Sequence, residues 1–246
     1  MPEDEALEAA PSEEVRRRPL GSILAVAALL AVAIAYWFIT SGRQAAAEAD
    51  AAKSLESLGV LVVMDGSRTH VASVNLSTVT SPDSLAKAIE RLPALSALGS
   101  LDASRTTITD DQLATVGRLT TLKSLAIAQT SITDRGLKHL AGLTQLRSLN
   151  LTTTPITGAG LTGLADLDRL KILDLSSTKT ADNLAPLGRL PQLEWLVLRD
   201  LTLANGALLE LSPSESLKRL TLEGSKYEAE SLTELQQAQP ELSVDK

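Results

Sequence analysis

From Val71 onward, the apolar residues follow two alternating rhythms. An opening of the form Leu-x-x-Leu-x-Leu sets its last two leucines at period two, as in Leu149 and Leu151 or Leu173 and Leu175. Both then point to one side of a short strand, and the residues between them to the other. Further along each unit leucines return at every third position, as in Leu137, Leu140 and Leu143, which is one face of a short helix or 3₁₀ turn. The pair of rhythms recurs in units that open at Leu98, Leu122, Leu146, Leu170, Leu193 and Leu217, spaced by 24, 24, 24, 23 and 24 residues. A looser unit precedes them at Val71, and Leu242 follows Leu217 by 25. No unit this short buries its leucines alone. The spacing therefore predicts an α/β solenoid, with the strands in a parallel sheet on the concave side and the short helices on the convex side.

The fullest unit is Leu122 to Leu143, LKSLAIAQTSITDRGLKHLAGL. Thr133 and Asp134 supply an N-cap and a negative charge at the helix start. The pair recurs as Thr109 and Asp110, whereas the following unit has Thr157 and Gly158 and loses the acid. Thr106, Thr130, Thr154 and Thr178 recur after the strands, where a hydroxyl donates and accepts toward the turn backbone. The pattern resembles the leucine-rich repeat, over about Val71 to Val244, with these threonines where that repeat commonly has Asn or Cys. Ahead of it, Ala45 to Leu58 reads as an alanine-rich helix, Gly59 to Met64 as a strand, Asp65-Gly66 as a turn and Val71 to Leu76 as the first repeat strand. That segment, LGVLVVMDGSRTHVASVNLS, resembles the opening hairpin of membrane-anchored leucine-rich repeat proteins of planctomycete-type bacteria that carry I-T-D-x-G-L repeats. At the other end Glu228 to Gln239 is polar enough to close the stack against water. The I-T-D-x-G-L repeat is also similar to that of eukaryotic F-box adaptors, which select substrates for ubiquitin ligases. Those repeats run longer and carry cysteine, and no F-box precedes these, so an adaptor role is the lesser alternative.

Leu20 to Thr40 holds 21 residues without a charge, about 31 Å as a helix at ~1.5 Å per residue, which matches a hydrocarbon core of about 30 Å. Tyr36, Trp37 and Phe38 stand at its far end, where an interfacial aromatic belt sits, and Arg16 to Arg18 at its near end. The positive-inside rule then puts residues 1–19 in the cytoplasm and the repeats outside it, periplasmic or extracellular. A cleaved signal peptide is the competing reading, since Ala33-Ile34-Ala35 and Ala47-Glu48-Ala49 both fit a cleavage pattern. The long flank and long apolar run favour an uncleaved anchor. The expected divisions are a disordered cytoplasmic tail at 1–19, a transmembrane helix at 20–40 that meets the lipid bilayer, a juxtamembrane helix and N-terminal cap at 41–70, and the repeat domain with its C-terminal cap at 71–246.

Charge and composition narrow the chemistry. A net charge of -7 argues against nucleic acid as a partner. With no cysteine and only His70 and His139, thiolate sites, histidine-rich metal sites and most histidine-based catalysis lack material. Asp102 and Asp174 share a concave row but sit three strands apart, roughly 14 Å, too far for a paired acid and base. No P-loop, Rossmann fingerprint or G-x-S-x-G occurs. The expectation is a binding module without catalytic residues, metal or cofactor. Its partner face is the concave one, where positions three, five and seven of each strand project. Early units offer small residues there, such as Ser100, Ser124, Ala126 and Ser148, and later units offer Ile172, Trp195, Val197, Arg199 and Arg219. Those five are the candidate site for a protein partner, because Trp and Arg dominate binding hot spots. The alternatives are that Trp195 and Ile172 pack internally, or that Trp195 stacks on a glycan in an envelope or structural role. Lys123, Arg147, Lys171 and Lys218 form a basic rim, interrupted by Glu194, that either steers an acidic partner or is a solvated edge.

Overall fold

The computed structural model describes the backbone of residues 20–246 and the side chains of residues 30–246. The expected tail, residues 1–19, lies outside the described residues, as do the side chains of the first half of the expected anchor. The chain divides into two compact units between Arg43 and Gln44. In the first unit the described part is helical, the beginning of α1 (Leu20–Ser57). Its large apolar side chains from Leu30 to Ile39 are 54–70% exposed. Among the described residues no helix is long and apolar enough to cross a membrane, although the uncharged run begins at Leu20, ahead of the described side chains.

The second unit is a solenoid. Its nine-stranded sheet runs in sequence order: β1 (Leu61–Met64), β2 (Val71–Asn75), β3 (Ser100–Asp102), β4 (Ser124–Ala126), β5 (Ser148–Asn150), β6 (Ile172–Asp174), β7 (Trp195–Val197), β8 (Arg219–Thr221) and β9 (Ser243–Asp245). Only β1 is antiparallel to its neighbour; every later pair is parallel. The central leucine of each strand from β3 to β8, Leu101, Leu125, Leu149, Leu173, Leu196 and Leu220, lies in register with the next and is buried. Parallel pairing obliges the chain to cross back between strands. It does so through α2 (Pro82–Arg91), α3 (Asp110–Val116), α4 (Asp134–Leu137, continuing as 3₁₀ to Gly142) and 3₁₀ turns at Gly158–Leu164, Leu187–Arg189 and Ala207–Leu211. Leu137, Leu140 and Leu143 all reach the leucine core, as their spacing requires.

The I-T-D-x-G-L motif does more than cap helices. Asp110 accepts the Thr133 backbone N–H (2.9 Å) and hydroxyl (2.6 Å) of the following unit, and Asp134 accepts the same pair from Thr157 (2.8 and 2.5 Å). Gly136 and Gly160 lie where a Cβ would overlap the acid of the preceding unit. Thr, Asp and Gly thus form a clasp between successive units. It stops at Gly158 for a steric reason, since any Cβ there would run into the Asp182 backbone. The recurring threonines Thr106, Thr130, Thr154 and Thr178 each donate to the carbonyl three residues back, at 2.6 to 2.8 Å. One residue ahead of each, Arg105, Gln129, Thr153 and Ser177 adopt positive φ of 55–61°, a left-handed turn repeated in these four units.

Both ends of the stack are closed. At the front the last turns of α1 bury Ala51 and Leu55 in the core. Glu48, 3% exposed, accepts from the Val71 N–H (2.9 Å) and the Ser96 hydroxyl (2.8 Å), and contacts His70 Nδ1 at 3.1 Å. Burial alone would push this carboxyl up, but the Val71 amide, Ser96 and His70 together hold it below the ordinary glutamate value. At the back, α5 (Ala229–Ala238) buries Leu232 and Leu235, and β9 completes the sheet from the unit that opens near Leu242.

Candidate functional site

The concave row of the later units is brought together by register alone. Ile172 pairs with Trp195, Trp195 with Arg219, and Arg219 with Ser243. Neighbouring strands lie about 4.8 Å apart, so these four side chains stand side by side on one face. They line a concavity of about 340 Å³ together with Lys171, Glu194 and Lys218. A second concavity of about 290 Å³ adjoins it across β5 to β7 and shares Ile172 and Trp195.

Trp195 is half-buried and fixed on two sides. Its indole Nε1–H donates to Thr221 Oγ1 at 3.1 Å, and the Arg219 guanidinium carbon stands 5.1 Å from the ring centroid, a cation–π arrangement. Thr221 is itself buried, so the indole's polar atom is satisfied within the protein while the ring lines the concavity beside Arg219. Ile172 is 37% exposed on the adjoining strand. It extends the apolar surface beside the held indole, and Trp is the residue type that dominates interface hot spots.

Two of the five expected contact residues line the adjoining concavity and not the first. Val197 is only 6% exposed. It lies between Asp174 and Thr221 across the strands and between Trp195 and Arg199 along its own, so its larger neighbours cover it. It forms part of the floor of the adjoining concavity. Arg199 Nε pairs with Glu223 Oε2 at 3.4 Å across the sheet. By contrast Arg219 joins none of the ion pairs among the described residues.

The basic rim is partly neutralised. Glu194 receives Lys171 Nζ on Oε1 (2.7 Å) and Lys218 Nζ on Oε2 (3.4 Å). Lys171, then Lys218, hold its carboxyl below the usual range. The acid that breaks the run of basic residues in the sequence is therefore what links the lysines on either side of it.

Sequence reasoning left three things unread. Asp102 and Asp174, weighed above as carboxylates, each accept the backbone N–H two residues on, Ser104 and Ser176, at 2.9 Å, as Asn75 and Asn150 do for Ser77 and Thr152. They end strands as Asx turns. At the opposite end of the same face Leu61 and Val63 pair with Asn75 and Ser73, and both are 57% exposed. Finally, Ser96, His70 and Glu48 unite residue types used in hydrolysis. Glu48 and Ser96 both address the same ring nitrogen, Nδ1, and Ser96 donates to Glu48. No base is set against a nucleophile here, and the cluster clasps the cap. His139 lies exposed on a 3₁₀ turn away from the sheet. Among the described residues no cluster has the ligands for a metal ion.

No family model and no curated protein matches the chain. Solved structures do. A leucine-rich repeat protein of Leptospira interrogans superposes with a TM-score of 0.50 at 18% identity, covering 68% of this chain and 52% of that one. The repeat domain has the leucine-rich repeat fold. An internalin and internalin C2 of Listeria monocytogenes give TM-scores of 0.48 and 0.44 at 20% and 22% identity, covering 79% and 67% of this chain and 61% and 77% of theirs. The chain spans about half the length of the Leptospira protein and three fifths of that of the first internalin. Within the leucine-rich repeat domain, the departure from small concave residues falls in β6 to β8.

Proposed function

We propose that this chain is a single-pass anchored leucine-rich repeat protein that holds its repeats outside the cytoplasm and recognises a protein partner through the later half of the concave face. The observation that carries the recognition reading is Trp195. It is a half-buried indole with its donor already satisfied, bordered by an exposed Ile172 and lining two adjoining concavities. Repeat solenoids create extended concave surfaces suited to such contacts. A Trp anchor ringed by solvated charged residues matches the usual layout of a hot spot. Support for the anchor comes from the uncharged run Leu20 to Thr40, from the arginines before it, and from seven large apolar side chains between Leu30 and Ile39 that are mostly exposed. Among the described residues no arrangement of nucleophile, base and oxyanion donors supports a catalytic role.

A photo-activatable residue in place of Ile172, in native membranes, tests the recognition reading. It should capture one protein that the same probe at Ser124 does not, and Trp195→Ala should abolish the adduct. Equal capture from both positions would contradict the reading. Reporter fusions after Lys246 test the topology: activity is expected only from a reporter that works outside the cytoplasm, and activity of a cytoplasmic reporter would overturn the orientation.

A further inference from the structure

The cavity around Trp195 also carries a charge signature, and the following inference rests on its being a binding site. Lys171, Lys218 and Arg219 line it against the single acid Glu194, a local excess of positive charge in a chain whose net charge is -7. Both oxygens of Glu194 are already engaged by the two lysines, at 2.7 and 3.4 Å. Arg219 has no carboxylate partner among the described residues, and it is held over the Trp195 ring. The indole needs no further hydrogen bond, since Thr221 has taken its only donor. The polar demand of the cavity is therefore for an anion, and its apolar demand, from Trp195 and Ile172, is for a large side chain.

We propose that this cavity recognises an acidic segment of a protein, with an Asp or Glu carboxylate paired to Arg219 and a neighbouring large apolar side chain laid against Trp195 and Ile172. Guanidinium presents a planar fork matched to a carboxylate, and its contact with an aromatic ring restricts the orientations it must give up on binding. A basic segment is rejected by the same three cations. The source is a protein segment rather than a lipid because the adjoining concavity across β5 to β7 sets Ser148, Asn150, Asp174 and Arg199 around an apolar floor of Leu149 and Val197. A polypeptide running on from the anchor finds hydrogen-bonding groups there, whereas an acyl chain would have to cover them.

The test uses the full chain with Trp37→Phe in phosphatidylcholine nanodiscs, so that Trp195 reports binding. The probes are short synthetic peptides with Glu-Phe, Gln-Phe, Glu-Ala or Lys-Phe at their centre. Glu-Phe should bind about tenfold or more tighter than each of the others, the scale of a charge-assisted hydrogen bond made beside an apolar contact. Arg219→Gln should bring Glu-Phe down to the Gln-Phe level without altering Gln-Phe, and Arg219→Lys should restore part of the preference. Equal affinity for Glu-Phe and Gln-Phe, both lost with Trp195→Ala, would overturn acid selection while leaving the cavity a binding site. No peptide binding, or binding indifferent to Trp195→Ala, would overturn the site itself. Competition by phosphatidylglycerol vesicles or by oligogalacturonate that depends on Arg219 would overturn the protein source.

Discussion

The front and back halves of the repeat domain share one core and differ on both faces. From β3 to β5 the concave face is floored by Ser100, Ser124, Ala126 and Ser148, while on the convex side each unit is clasped to the next by an Asp that accepts from the following Thr. From β6 to β8 the concave face carries Ile172, Trp195 and Arg219 and the clasp is gone. Its replacement runs the other way, since Glu210 and Glu228 accept the Ala185 and Gly206 N–H groups of the preceding units, at 2.9 and 3.2 Å. Regularity serves the frame, and the break in regularity coincides with the site. A solenoid permits this because each unit contacts only its neighbours, so one stretch can change its surface while the leucine ladder continues.

The largest expected effect is common to both halves. Leu149→Ala in front and Leu196→Ala behind, each essentially unexposed, should each cost roughly 2 to 5 kcal/mol in denaturant unfolding through lost burial and a cavity. A large difference between them would mean that the core is not continuous. Gly158→Asp restores the motif acid yet forces a side chain into the Asp182 backbone, so it should destabilise by about 1 to 3 kcal/mol as overpacking does. A gain in stability would refute the steric account of where the clasp ends. Asp134→Ala leaves the Thr157 N–H and hydroxyl without their acceptor and should cost about 1 to 3 kcal/mol, whereas Ser124→Ala on the concave floor should be nearly silent.

The front cap supplies a pH test. Glu48 has its carboxyl held below the ordinary value of 4.5 in the folded chain. The stabilisation it lends is complete above that value and is lost as pH falls through the lower, folded one. Thermal unfolding should therefore fall off on the acid side, and Glu48→Gln should flatten that limb while lowering stability at neutral pH; an unchanged acid limb would exclude the Glu48 clasp as its origin. The smallest effect expected is a gain. Thr153 is β-branched yet sits at φ 55°, and Thr153→Gly should stabilise by about 0.5 to 1 kcal/mol by relieving that strain; a loss would place the turn elsewhere.

Much of this was legible because a fixed period turns sequence distance into register. Ile172, Trp195 and Arg219 are neighbours by counting, and so are Lys171, Glu194 and Lys218, or Arg199 and Glu223, once the 23- to 24-residue spacing is known. What escaped reading depends on loop backbone or on packing that no period encodes. Asp174 became a turn acceptor because the chain bends after β6. Val197 is reduced to the floor of a concavity between longer neighbours, and Glu48 met Ser96 across a separation of 48 residues. Leu61 and Val63 remained exposed because nothing among the described residues covers the face of β1. The threonine–aspartate–glycine clasp was visible only as a helix cap, since its partner lies one unit away.

The central claim is that the back half presents a held, accessible indole under a cationic rim. With Trp37→Phe in the full chain, Trp195 is the only tryptophan, and its quenching by iodide and by caesium reports both properties at once. The account predicts partial accessibility with iodide the more effective quencher, and loss of much of that preference in Arg219→Gln. An indole shielded from both ions, with the emission of a fully buried ring, would contradict it.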